Sequence, residues 1–92
     1  MAYTEIYFKS WCRYSQRALE LLTSKGVDFK AIDLTDDADE LEQQMRERSG
    51  RTSVPQIFID GRHIGGYDDI AALDAAGGLD PLLFGGEVPQ AA

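Results

Sequence analysis

The chain has 92 residues and a mass of 10.2 kDa, enough for one domain built on one core. Nine Lys and Arg against sixteen Asp and Glu give a formal net charge of −7, which argues against nucleic acid as a partner, because phosphate binding needs a basic face. The longest apolar run, Ile70–Leu73, is far below the ~20 residues of a membrane span, and the single cysteine, Cys12, excludes an internal disulfide and a multi-cysteine zinc site.

The N-terminus has neither the basic nor the apolar region of a secretory signal, so a cytoplasmic protein is expected. Glu5–Phe8 is rich in β-formers and predicts a first strand. Tyr14, Ala18, Leu21 and Leu22 then recur at helical spacing, and Gly26 closes the helix over residues 13–25. Val27–Asp33 comes close to alternation and predicts strand two. Asp36–Arg48 is charged, with Leu41 and Met45 four apart, and predicts an exposed helix with a thin buried stripe. Asp36, Asp37, Asp39, Glu40 and Glu42 fill its N-terminal half and Arg46 and Arg48 stand near its C-terminus, the order that suits a helix dipole.

Gln56–Ile59 and Arg62–Ile64 flank Asp60–Gly61 and predict a hairpin. Asp68 is the expected N-cap of a helix over Asp69–Ala76, and Leu79–Phe84 predicts a last helical turn. Residues 1–84 are expected to form one domain, with 85–92 as a flexible tail. The order β-α-β-α-β-β-α places strands one and two in parallel through a right-handed crossover, with the hairpin adding two antiparallel strands. The expected fold is a thioredoxin-like α/β domain, a four-stranded mixed sheet flanked by helices.

The chemistry centres on Ser10-Trp11-Cys12-Arg13-Tyr14-Ser15. Cys12 follows a parallel strand and opens a helix, where α/β sheets bind ligands. Unpaired helix amides and the cations Lys9 and Arg13 favour thiolate over thiol. The charge is unevenly spread: residues 1–30 hold five bases against three acids, and residues 31–92 hold four against thirteen. Ser15 stands one helical turn after Cys12, on the same face. It can hydrogen-bond the thiolate or the helix backbone, but it cannot form a disulfide, so a second thiol must come from solution or a partner. Trp11 is expected to meet a partner or to pack half-buried, His63 to be a surface strand residue, and Arg51 to be a solvated loop charge.

These segments resemble the glutaredoxin family, and in particular its short bacterial members. The resemblance is carried by Glu5-Ile6-Tyr7, Lys9, Cys12-Arg13-Tyr14-Ser15, the run from Ser49 to Asp60 containing Val54-Pro55-Gln56, His63-Ile64-Gly65-Gly66-Tyr67-Asp68-Asp69, and the stretch from Ala72 to Leu83. It implies a glutathione-dependent thiol-disulfide oxidoreductase. Glutathionylated proteins and small mixed disulfides would be substrates, and the protein would act as a monomer. Cys12, Ser15, Lys9 and Tyr14 would serve catalysis. Lys9, Cys12, Tyr14, Ser53, Val54, Pro55, Gly66, Tyr67 and Asp68 would bind glutathione, with Val54-Pro55 as the family's cis pair. Gln44, Arg46 or Arg48 would reach the glycyl carboxylate.

Three departures from the family stand out. Arg13 replaces its usual proline, Tyr67 an accessory cysteine, and Ser15 the resolving cysteine. A monothiol mechanism is therefore expected, in which a second glutathione regenerates Cys12. The alternatives are a dimer bridging a [2Fe–2S] cluster through Cys12 and glutathione, a dithiol parent in which serine has been substituted at position 15, and a glutathione-binding module without catalysis.

Overall fold

The computed structural model describes residues 2–84; the tail expected over 85–92 lies outside them. The elements are β1 (Thr4–Phe8), α1 (Arg13–Ser24), β2 (Lys30–Asp33), α2 (Asp39–Ser49), β3 (Gln56–Ile59), β4 (Arg62–Gly65), α3 (Tyr67–Ala75) and α4 (Leu79–Leu83). The sheet order is β2-β1-β3-β4. β1 and β2 are parallel, and the other two pairings are antiparallel. The expected four-stranded mixed sheet flanked by helices is what forms.

Strand alternation sorts side chains to two faces. Ile6, Ile57 and Ile59 join Ala18, Leu22, Ile70, Leu79 and Leu83 beneath α1, α3 and α4. Tyr7, Ile32 and Phe58 join Met45 of α2 on the other face. Burying large side chains of this kind contributes about 1.5–3 kcal/mol each. No helix among the described residues is long and apolar enough to cross a membrane.

Three boundaries differ from expectation. β2 starts at Lys30, not Val27. Val27 and Phe29 pack into the first core cluster, whereas Ile32 faces the second. Their alternation reflects burial of a loop before it reflects a strand. α2 starts at Asp39, not Asp36, and Asp37 adopts a left-handed φ of 44° that a helix does not allow. α3 starts at Tyr67 with Gly66 as its N-cap, so Asp68 lies within the first turn and is not the cap. Asp69 acts there instead: the Gly66 N–H donates to its carboxylate at 2.8 Å. The Asp60–Gly61 turn has positive φ at both residues, 51° and 78°, as a two-residue type I′ hairpin requires.

Candidate active site

Cys12 is the N-cap of α1, in an extended conformation with φ −84° and ψ 120°. It is the one free thiol and is partly exposed. Its Sγ lies 3.8 Å from the Val54 carbonyl oxygen, which ties the start of α1 to the loop before β3. The Val54–Pro55 bond is cis, as the resemblance implies.

Burial pushes the Cys12 thiol up. Hydrogen bonds from the Ser15 N–H, the Ser15 hydroxyl and the Tyr14 N–H, together with the charge of Lys9, outweigh burial and hold the thiol below its ordinary value. Arg13, expected to assist, is not among these causes. Lys9 acts from a distance: its ammonium lies 3.7 Å from Glu42 and 5.6 Å from the Trp11 ring centre.

Ser15 is fully buried. Its Oγ accepts the Lys9 backbone N–H at 3.2 Å. Its hydroxyl is also among the groups that hold the Cys12 thiol below its ordinary value.

Beside Cys12 opens a cleft of about 240 Å³. Tyr14 and Tyr67 form one side, with ring centres 6.3 Å apart. Ser53, Val54 and Pro55 form the floor, and Gly66 and Asp68 at the start of α3 close the far side. Seven expected binding residues thus line this cleft, while Cys12 stands beside it, its Sγ against Val54. Lys9 stands outside the cleft lining.

The helix-two candidates are placed differently. Arg48 is engaged bidentately by Glu5 at 2.9 and 3.2 Å and donates to the Tyr7 hydroxyl at 2.8 Å. Its guanidinium also lies 4.0 Å above the Phe58 ring centre. Gln44 accepts from that same Tyr7 hydroxyl. Arg46 pairs with Glu42 at 3.3 Å. None of the three lines the cleft.

Other expectations are corrected. Trp11 is 69% exposed, so packing does not half-bury it. Arg51 is more than a solvated charge: it lines the cleft and pairs with Asp69 at 2.9 Å. His63 is half-buried, with its ring 5.1 Å from that of Phe58. Burial lowers its pKa, Arg51 adds to that, and Asp69 opposes it.

Three further residues shape the site without having been given a role in it from the sequence. Gln56 is fully buried; it accepts from His63 Nε2 at 2.6 Å and donates to the Ser53 carbonyl at 3.1 Å, bracing the floor of the cleft. Asp69 caps α3. Gly65 has φ +130°, and a Cβ there would come within 2.2 Å of the Asp69 carboxylate. The Gly65-Gly66 pair was the available signal, used only for the expected contact of Gly66 with glutathione. It admits Asp69 to its cap.

The glutaredoxin family profile matches residues 4–64. The chain belongs to the glutaredoxin family. Glutaredoxin 3 of Escherichia coli (strain K12) is 58% identical over 83 residues, covering 90% of this chain and 99% of that protein. The solution structure of a Brucella melitensis glutaredoxin matches with a TM-score of 0.80 at 45% identity, covering 97% of this chain and 96% of that one. The crystal structure of a buckwheat glutaredoxin–glutathione complex matches with a TM-score of 0.82 at 28% identity, covering 91% of this chain and 78% of that one.

Membership of the glutaredoxins supports a thiol-oxidoreductase role, and it agrees with a lone, acidified thiol beside an open cleft. Among the described residues no group of three or more His, Cys, Asp or Glu side chains could hold a metal ion.

Proposed function

We propose that this glutaredoxin removes glutathione from mixed disulfides by a monothiol mechanism carried by Cys12. The Cys12 thiolate attacks the glutathione sulfur of a protein–glutathione mixed disulfide. The S–S bond breaks, and the protein thiolate leaves and takes a proton from solvent. Cys12 now holds glutathione in a new disulfide. A second glutathione thiolate attacks the bound glutathione sulfur, forming glutathione disulfide and expelling the Cys12 thiolate. In sum, one protein–glutathione mixed disulfide and one free glutathione give the protein thiol and glutathione disulfide.

The observation that carries this reading is the pairing of Cys12 with Ser15. The sole thiol is held below its ordinary pKa, and the position one helical turn on carries a buried hydroxyl that stabilises the thiolate. A low pKa gives little net gain in attack, because nucleophilicity falls with pKa at a slope of about 0.4–0.5. It makes Cys12 a better leaving group, which is what the second step needs. Tyr14, Ser53, Val54, Pro55, Gly66, Tyr67 and Asp68 hold the glutathione moiety in the cleft. The Gly66 and Tyr67 amides at the start of α3 suit its γ-glutamyl carboxylate, and Asp68 suits its amino group. The identity to glutaredoxin 3 and the match to the buckwheat glutathione complex support that ligand.

Intact-mass measurement tests the two steps. One equivalent of glutathione disulfide should add a single glutathione to the reduced protein and none to Cys12→Ser. Excess glutathione should remove it. An adduct that persists in excess glutathione contradicts the second step.

A further inference from the structure

The residues around Cys12 carry a feature that glutathione chemistry leaves unexplained. From Lys9 to Arg17 the chain has three cations, two aromatic side chains and no acid, in a protein of net charge −7. Acids in the first turn stabilise a helix and cations there oppose its dipole. α2 has Asp39, Glu40 and Glu42 in its first turn, α3 has Asp68 and Asp69, and α4 has Asp80. α1 alone has no acid there, and opens instead with Arg13.

Helix stability does not account for this charge, and activation of the thiol accounts only for Lys9. Arg13 takes no part in lowering the Cys12 pKa. Arg13 and Arg17 are exposed, and among the described residues no carboxylate pairs with either. Trp11 and Tyr14, on either side of the thiol, are 69% and 52% exposed. Each lies near a cation: Lys9 is 5.6 Å from the Trp11 ring centre and Arg17 is 5.8 Å from that of Tyr14. Exposed aromatic and arginine side chains are what interface centres favour.

We propose that Arg13 and Arg17, with Trp11 and Tyr14, form a docking surface that selects glutathionylated protein segments with acidic residues flanking the modified cysteine. This rests on the deglutathionylation reading above. The acidic remainder of the surface repels acidic partners, so attraction is confined to a short segment next to the sulfur. A basic flank meets no such attraction there.

Two glutathionylated peptides, alike except for Glu or Lys on both sides of the cysteine, test the proposal. A small glutathione–cysteine mixed disulfide serves as a third substrate and reports on Cys12 alone. At low ionic strength kcat/KM should favour the acidic peptide by on the order of tenfold. The preference should contract as salt shortens the Debye length to about 3 Å near 1 M. The Arg13→Gln/Arg17→Gln protein should lose most of the preference while turning over the small disulfide normally. Equal rates on both peptides, a preference insensitive to salt, or a preference unchanged in the double variant would overturn the proposal. If the double variant loses turnover on all three substrates, the salt dependence of the unaltered protein decides. Failure of the unaltered protein on all three substrates would instead refute the deglutathionylation reading itself.

Discussion

At the scale of single residues, Ser15 is the informative position. A serine in place of a second thiol looks like a loss. Its surroundings give it a positive part: buried, it accepts from the Lys9 N–H and helps to hold the Cys12 thiol below its ordinary value. Hydrogen bonds to charged groups are stronger than neutral ones, so removing the hydroxyl should act on the thiolate selectively. Ser15→Ala should raise the Cys12 pKa, read from thiolate absorbance against pH, and shift the pH profile of alkylation by iodoacetamide upward. An unchanged titration would show that the backbone amides of Ser15 and Tyr14 suffice. The sequence made the acidified thiol legible, through its place at a helix start among cations. It did not reveal which cation mattered. Neighbours in sequence are not neighbours in direction, and Arg13 acts outward while Lys9 acts on the sulfur.

At the scale of elements, the start of α3 is the least legible part of the site. Asp68 and Asp69 are adjacent, and either suits an N-cap by residue type. What decides between them is the backbone at Gly65, whose φ of +130° leaves room for the Asp69 carboxylate to reach the Gly66 N–H. Gly65→Ala should therefore cost more than a surface substitution. Backbone strain alone accounts for about 1–3 kcal/mol, and displacement of Asp69 adds to it. Chemical denaturation should show that loss together with a weakened glutathione affinity, because the same turn lines the cleft. A loss within ~0.5 kcal/mol, typical of surface sites, would mean that the turn relaxes freely. For α2 the charge pattern gave the helix, but its buried stripe is thinner than expected: Met45 is fully buried while Leu41 is 40% exposed. Met45 alone anchors α2 among Tyr7, Ile32 and Phe58 on that face of the sheet.

At the scale of the whole molecule, the βαβ crossover and hairpin were legible from element order alone. The site was legible only in pieces. The cysteine segment, the loop before β3 and the β4–α3 turn lie more than forty residues apart at the extremes, and it is the sheet order that brings them together. Periodicity cannot specify such a meeting, which is why Gln56, Asp69 and Arg51 went unassigned or misassigned. Charge couples to stability at this scale too. The Gly66 amide, then Arg51, lower the Asp69 pKa; the Thr35 hydroxyl lowers that of Asp33; burial lowers that of His63. The folded chain thus binds fewer protons than the unfolded chain at these groups. Their stabilisation is present above the unfolded values and is lost as pH falls through the folded ones. Cys12 adds a window below its unfolded value of 9.0, in which stability rises with pH. Lys25, raised by Asp74 and Asp80, contributes the opposite sign and loses its stabilisation above about 10.4. The thermal midpoint should rise from below about pH 4, through the carboxylate, His63 and Cys12 windows, toward pH 9 and fall beyond the lysine range. A midpoint that peaks in acid would contradict these directions.

The account stands on Cys12 as the single thiol of a two-step exchange with glutathione. Steady-state turnover of a small glutathione mixed disulfide, coupled through glutathione reductase to NADPH consumption, tests it most directly. The account predicts turnover that rises with glutathione concentration and vanishes in Cys12→Ser. Turnover that survives Cys12→Ser, or a protein that forms the Cys12–glutathione adduct and never turns over, would contradict it.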